Sequence, residues 1–289
     1  MPSNNSPLRY PGGKSQLFKY ISHTLEMNHL DHATYCEAFC GGAGVAMSLL
    51  LNNKVNQVLL NDYDPAIYSV WYAILHQADE LIENILDTPV TLDEWYNQRA
   101  IYNRLKEIRG YNFDLAWATF YLNRTNRSGI IEGGPIGGLT QTAKYKIDCR
   151  FNKPSLIKKI QKIHALRNRI HLYNYDGIEF IRRVIEPFQG NIFIFFDPPY
   201  FKQGKNLYKN ALDAIYHAEL SQAICNLQRQ HWIVTYDNVD EIRTLYADCV
   251  GWKYKIRYTA NEKRRESELL YKSPITQLES YERVTLEEI

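Results

Sequence analysis

The residues best suited to chemistry in this 289-residue chain form one run, Ile192-Phe193-Ile194-Phe195-Phe196-Asp197-Pro198-Pro199-Tyr200. Its apolar half reads as a strand buried on both faces, the kind that in open α/β sheets delivers functional groups to its carboxyl end. The two prolines fix φ, remove two N–H donors and bias the residues before them toward extended backbone. The strand therefore exits into a stiff bend with one carboxylate, free carbonyls and one aromatic ring. Asp197 can accept one hydrogen of an amino group, a carbonyl beside Pro198 or Pro199 can accept the other, and Tyr200 can lie on the attached ring. An aryl amine is a poor nucleophile because its lone pair is delocalised. Two acceptors that favour a pyramidal nitrogen restore that lone pair for in-line attack on a methyl sulfonium.

A second constellation is Glu37-Ala38-Phe39-Cys40-Gly41-Gly42-Ala43-Gly44. A glycine turn lets a ligand approach the backbone closely. Asp62 ends the next strand candidate about twenty residues on, a spacing that suits a carboxylate accepting both ribose hydroxyls. The full GxGxxG spacing is missing, which favours a single nucleoside such as S-adenosylmethionine over a dinucleotide.

The elements that must hold these groups follow a βα rhythm. Thr34–Phe39 reads as a strand, then come the glycine turn, a helix over 45–51 and a second strand over 57–62. Asp64-Pro65 opens another helix, and residues 76–124 read as mostly helical, with Thr91 and Glu94 spaced as a capping box. Residues 125–152 are rich in Gly, Thr and Asn without a regular period, a stretch of the kind that is often functional. The rhythm resumes with a basic helix over 154–169, a strand IHLYNY ending before Asp176, the IFIFF strand, a helix over 211–229 and the strand HWIVTY. WKYKIRYT and ELLYKS read as β-like pieces near the end. The fold class is thus α/β, a doubly wound sheet built from 1–75 and 155–289, with 76–154 inserted as a mostly helical subdomain.

Composition narrows the partners. The net charge of +2 does not announce a polyanion, yet nine Lys and Arg stand against one acid, Asp148, between Lys144 and Arg169. The 22 tyrosines suit packing or base stacking. Five cysteines, Cys36, Cys40, Cys149, Cys225 and Cys249, with no CxxC pair, argue against a disulfide framework or a zinc site, and no metal is expected. No signal peptide and no membrane-length apolar run is seen, so a cytoplasmic protein with no membrane partner is the expectation.

Tyr10-Pro11-Gly12-Gly13-Lys14, the Phe39–Gly44 turn, Asn61-Asp62, Asn123-Arg124-Thr125 and Asp197-Pro198-Pro199-Tyr200 occur in the order seen in Dam-like (D12 class, alpha group) adenine-specific DNA methyltransferases, which the chain resembles over residues 8–275. The resemblance implies a Rossmann-like S-adenosylmethionine-dependent sheet with an inserted target-recognition subdomain, and site-specific methylation of the adenine amino group in duplex DNA. It implies catalysis at Asp197, Pro198, Pro199 and Tyr200. It places Tyr10, Lys14, Phe39, Gly41 and Gly42 around the cofactor, Asp62 on the ribose and Asp176 at the cofactor's adenine. Asn123, Arg124, Asn126, Arg127 and Ser128 then offer base-edge and phosphate donors, and Lys144 begins a basic segment that can track a backbone. Residues 127–138 depart from the best-known members, so no target sequence carries over. A companion restriction endonuclease is a partner that such an enzyme can have.

Inside a duplex the adenine amino group is paired and stacked. In-line transfer requires the base to swing out, at roughly a few kcal/mol, of which stacking on Tyr200 returns about 1–3 kcal/mol. Competing readings are an amino methyltransferase acting on cytosine N4, on RNA or on a protein amide, a non-catalytic DNA-binding protein that kept the fold, and a dinucleotide oxidoreductase. Ser or Asn often stands first in the motif for cytosine or amide substrates, and Asp197 favours adenine.

Overall fold

The computed structural model describes residues 5–9, 14–201, 214–256 and 267–289. Five parallel strands form its centre: β1 (Thr34–Glu37), β2 (Gln57–Asn61), β3 (Ile170–Tyr173), β4 (Ile192–Phe196) and β5 (His231–Asp237). The antiparallel strands β6 (Gly251–Ile256), β7 (Glu268–Lys272) and β8 (Val284–Glu288) extend it in the order β3-β2-β1-β4-β5-β7-β6-β8. From β1 the chain winds outward through β2 and β3, then returns to β4 on the other side. The carboxyl ends of β1 and β4 therefore flank the topological switch point, where such sheets bind ligands.

The pleat sorts side chains between two cores. Phe193 and Phe195 of β4 join Tyr35 in one, while Ile192, Ile194 and Phe196 join Cys36 in the other. The first is covered by α1 (Phe18–Met27), α2 (Gly44–Leu51) and α3 (Pro65–His76), contributing Tyr20, Met47 and Trp71. Phe180, from the short α8 (Gly177–Phe180), Leu220 and Ile224, from α9 (Ala214–Cys225), and Ile242, from α10 (Asp240–Leu245), line the second. Helices on both faces explain why β4 reads as a continuous apolar run rather than an alternating one.

Between β2 and β3 lie α3, α4 (Ala78–Asp87), α5 (Leu92–Leu105), α6 (Phe113–Thr125) and α7 (Lys153–His164), with a mostly irregular stretch at 126–152. Asp64 caps α3 through Ala66 N (2.8 Å), and Thr91 caps α5 through Glu94 N (3.2 Å). The basic helix expected over 154–169 ends at His164, and a 3-10 turn, Arg167–Arg169, follows. The helix after Asp176 continues from α8 into a π-turn, Ile181–Ile185. Residues 211–213 of the expected 211–229 helix, and the end of WKYKIRYT, lie outside the described residues. No described helix is long and apolar enough to cross a membrane.

Candidate active site

Register brings the functional side chains to one rim. Glu37 of β1 pairs with Leu60 of β2 and Phe195 of β4, and Phe196 pairs with Val234 of β5. One residue beyond, Asp197 and Thr235 are neighbours, and Thr235 Oγ1 donates to Asp197 Oδ1 at 2.6 Å. Across the antiparallel pair, Asp237 opposes Glu268, and Phe201 N donates to Asp237 Oδ1 (2.9 Å), which anchors the segment after the prolines.

Lys14 reaches this rim from the N-terminal side. Its buried ammonium donates to Glu268 Oε2 (2.8 Å) and to Tyr200 OH, lies 3.4 Å from Asp197 Oδ1 and sits 4.9 Å from the centre of the Tyr200 ring. Burial pushes the Lys14 pKa down, but Asp197 and Glu268 outweigh it and hold the ammonium above its ordinary value. Burial raises Asp197, a rise that Lys14 and the Thr235 hydroxyl oppose. Lys14, expected along the cofactor, is therefore at the Asp-Pro-Pro-Tyr bend itself. Tyr254 OH also donates to Glu268.

Across the switch point, the glycine turn is held from behind. Trp71 Nε1 donates to Gly41 O (2.8 Å), and Gly41 N donates to Asp62 Oδ2 (2.8 Å). Gly41 (φ 43°) and Ala43 (φ 43°) are both left-handed, a conformation that Gly adopts without the penalty of a Cβ. Asp62 Oδ1 accepts from Asp64 N (3.0 Å). Burial, then the nearby Asp64 charge, pushes the Asp62 carboxyl up to about 7, against the pull of Gly41 N and Asp64 N. Burial also raises Glu37 to about 8, although it accepts from Ala46 N at 2.9 Å. A carboxylate so placed gains from hydroxyl donors, which fits the two adjacent hydroxyls of a ribose.

Asn61, fully buried, fixes the third wall. Its amide donates to Ala38 O (2.9 Å) and Tyr175 O (3.0 Å) and accepts from Tyr175 N (2.9 Å), locking the exits of β1 and β3 together. Asp176 follows; its Oδ1 caps α8 through Ile178 N (2.9 Å), and its Oδ2 accepts from Tyr216 OH of α9. Phe39 presses on this cap: a Cβ at Gly177 would lie 2.6 Å from Phe39 Cζ. Gly177→Ala should therefore displace the Phe39 ring, at about 1–3 kcal/mol of overpacking. We expect a folded variant that binds cofactor several-fold more weakly by titration calorimetry; unaltered affinity would show that Phe39 does not border the ligand.

The recognition candidates divide into buried and exposed. Asn123 and Asn126, expected at the DNA, are both 0 % exposed. Asn123 accepts from Arg9 N (2.8 Å) and donates to Arg9 O (2.6 Å) and Gly129 O (2.9 Å). Asn126 accepts from Trp95 Nε1 (2.7 Å) and donates to Ile130 O (2.9 Å) and Ile131 O (2.8 Å). As placed they shape the loop and have no free edge for a base, a correction to the expectation from polarity alone. Arg99 clamps the same loop from α5 through Ile131 O (2.6 Å) and Glu132 O (2.7 Å). Arg127, Ser128 (φ 55°) and Lys144 are exposed. Arg124 is half-buried, donating to Arg150 O (2.9 Å) and Pro7 O (3.3 Å), and its pKa is pushed down to about 10 by burial, Arg9 and Arg150. Lys159 donates to Ser6 O (3.1 Å) beside it. Among the described residues no carboxylate pairs with this cationic group. Of the expected site residues, Tyr10 lies outside the described ones.

Among the described residues no group of three or more His, Cys, Asp or Glu could hold a metal ion. Thr235, Glu268, Asp237, Tyr216 and Glu37 belong to the rim but were not singled out as site residues from sequence. Of these, only Glu37 stood inside a motif.

A family model of D12 class N6 adenine-specific DNA methyltransferases matches residues 10–263. No curated protein matches the chain. Among solved structures, an rRNA methyltransferase from Streptomyces viridochromogenes aligns at 14 % identity and TM-score 0.41, covering 93 % of this chain and 87 % of that one. A SAM-dependent methyltransferase from Agrobacterium tumefaciens aligns at 12 % identity and TM-score 0.40, covering 88 % and 61 %. Likenesses this distant say nothing of substrate.

Proposed function

The chain belongs to the D12 class N6 adenine-specific DNA methyltransferase family, and from that premise we propose that it methylates an adenine swung out of duplex DNA, with the rim around Asp197 as the reaction centre. The observation that carries this reading is the position of Asp197 at the β4 exit, fixed by Thr235 and flanked by Tyr200, across the switch point from Asp62. S-adenosylmethionine, when bound along the Gly41 turn, supplies the electrophilic methyl group. Asp62 holds the ribose, while Phe39 and the Asp176 cap border the purine end. Tyr200 stacks on the target adenine, and Asp197 accepts from its amino group, aiming the nitrogen lone pair and stabilising the positive charge that develops there. Lys14 stays at the hydroxyl edge of Tyr200, paired with Glu268. Residues 76–154 form the target-recognition subdomain.

Incubation with tritiated cofactor and duplex DNA, followed by nucleoside analysis, tests the reading. Label in N6-methyladenine is expected; label in N4-methylcytosine, or only with RNA or protein, would replace it.

The cationic group of Arg9, Arg124, Arg150 and Lys159, with exposed Arg127 and Lys144, is suited to phosphates. Arg127→Ala should weaken DNA binding several-fold and lower the salt slope of binding by about one. Arg124→Ala should do the same, and cofactor affinity should hold in both. DNA affinity and salt slope unchanged in both variants would remove this face from the interface.

A further inference from the structure

Cys225 ends α9, and Cys249 lies in the turn before β6, twenty-four residues on. Their sulfurs are 3.0 Å apart, closer than two unbonded sulfurs ordinarily rest, and both residues are half-buried at the edge of the second core. The remaining cysteines differ: Cys36 and Cys40 are buried, and Cys149 is exposed. We propose that Cys225 and Cys249 form an oxidisable dithiol, a modification site at which a peroxide closes a disulfide between the end of α9 and the turn before β6.

Cys225 is the last residue of α9, where the negative end of the helix dipole disfavours a thiolate, whereas Cys249 lies outside any helix. At this separation they share a proton, so the Cys225 thiol stabilises a Cys249 thiolate; the contact moves Cys249 below and Cys225 well above the ordinary thiol value, against burial and the Asp248 charge at Cys249. Cys249 is then the nucleophile and Cys225 the resolving partner. The Cys249 thiolate attacks one peroxide oxygen, the O–O bond breaks, and the departing hydroxide takes a proton to become water. Cys225 sulfur next attacks the Cys249 sulfenic acid. An S–S bond forms, the S–O bond breaks, and a second water leaves with the Cys225 proton. The two thiols lose two electrons, and the peroxide gains them. In a chain without a disulfide framework such a bond is of the transient, redox-responsive kind. It fastens α9, whose first turn places Tyr216 on Asp176, to the segment that feeds the antiparallel strands. This inference is independent of methyl transfer.

The full chain, reduced and then treated with a small excess of hydrogen peroxide, should be alkylated, digested and mapped by mass spectrometry. We expect a Cys225–Cys249 cross-link within one chain, reversed by dithiothreitol, at a dose that leaves Cys149 a free thiol. Cys225→Ser should stop at a sulfenic acid on Cys249, trapped by dimedone, and Cys249→Ser should leave Cys225 reduced. Oxidation of Cys149 with Cys225 and Cys249 still alkylated, or cross-links only between chains, would overturn the proposal. Sulfenic acid on Cys225 in place of Cys249 would overturn the assignment of roles.

Discussion

Asp197→Ala should lower kcat for methyl transfer to DNA by roughly 10²–10³-fold or more, the cost of removing one preorganised group aimed at charge that develops in the transition state, while cofactor affinity stays within about threefold. The separation follows from the topology. Asp197 leaves β4 on one side of the switch point, whereas Asp62 and the Gly41 turn belong to β1 and β2. Thr235 Oγ1 pins one carboxylate oxygen at 2.6 Å, so the group is oriented before the base arrives. The alanine variant leaves Lys14 paired with Glu268, and no buried cation is orphaned. Asp197→Asn is the finer probe. It keeps the size and a carbonyl acceptor but removes the charge, and charge-assisted hydrogen bonds are about twice as strong as neutral ones. Its turnover should fall between wild type and the alanine variant. Were Asp197 only a strand-ending residue, both variants would lose stability and cofactor binding in step with turnover. Undiminished turnover in Asp197→Ala would remove it from the reaction.

What the sequence made legible is what local patterning controls. IFIFF must be a two-sided buried strand, and two prolines must bend its exit, so Asp197 and Tyr200 stand out without any tertiary knowledge. The same holds for Asp64 and Thr91 as caps. Thr235 and Glu268 were invisible because pairing across strands, not spacing along the chain, puts them beside Asp197 and Lys14: Glu268 lies across β5 in an antiparallel strand and meets a lysine 254 positions away. Asn123 and Asn126 show the opposite failure. Polar residues near glycines read as a surface loop, but Trp95, Arg9 and the loop carbonyls satisfy every amide and draw both inside. Burial of polar groups depends on partners far off in sequence, which composition does not reveal. For Asp176 the resemblance implies a cofactor contact, whereas the structure gives it a helix cap. The cap is realised in the hydrogen bonds, and the cofactor contact stays part of the proposal.

Asp62→Ala should raise the cofactor Kd by roughly 10²-fold or more, because two hydroxyl donors lose a charged acceptor at about 1.5–3 kcal/mol each, and the loss should carry a pH signature. The carboxyl titrates near 7, raised from 3.8 by burial and by Asp64. Ribose hydroxyls donate to the anion, so binding requires that proton to leave. Cofactor affinity should therefore fall about tenfold for each pH unit below about 7. Folding stability runs the other way. The fold favours the protonated form more than the unfolded chain does, so this contribution is present below 3.8 and disappears as pH rises through about 7. Between pH 7 and 5 the unliganded protein gains stability from Asp62 while it loses affinity for cofactor, a pairing of signs that general acid damage would not produce. Asp62→Asn should flatten the affinity trend and shrink the stability trend to the part that Glu37 contributes. Glu37, raised to about 8, is the control: a pH trend that persists unchanged in Asp62→Asn would transfer the effect to Glu37 on the neighbouring strand. Calorimetric titrations between pH 5.5 and 8.5 that show one constant Kd for the wild type would dissolve the proposed link between Asp62 and the ribose.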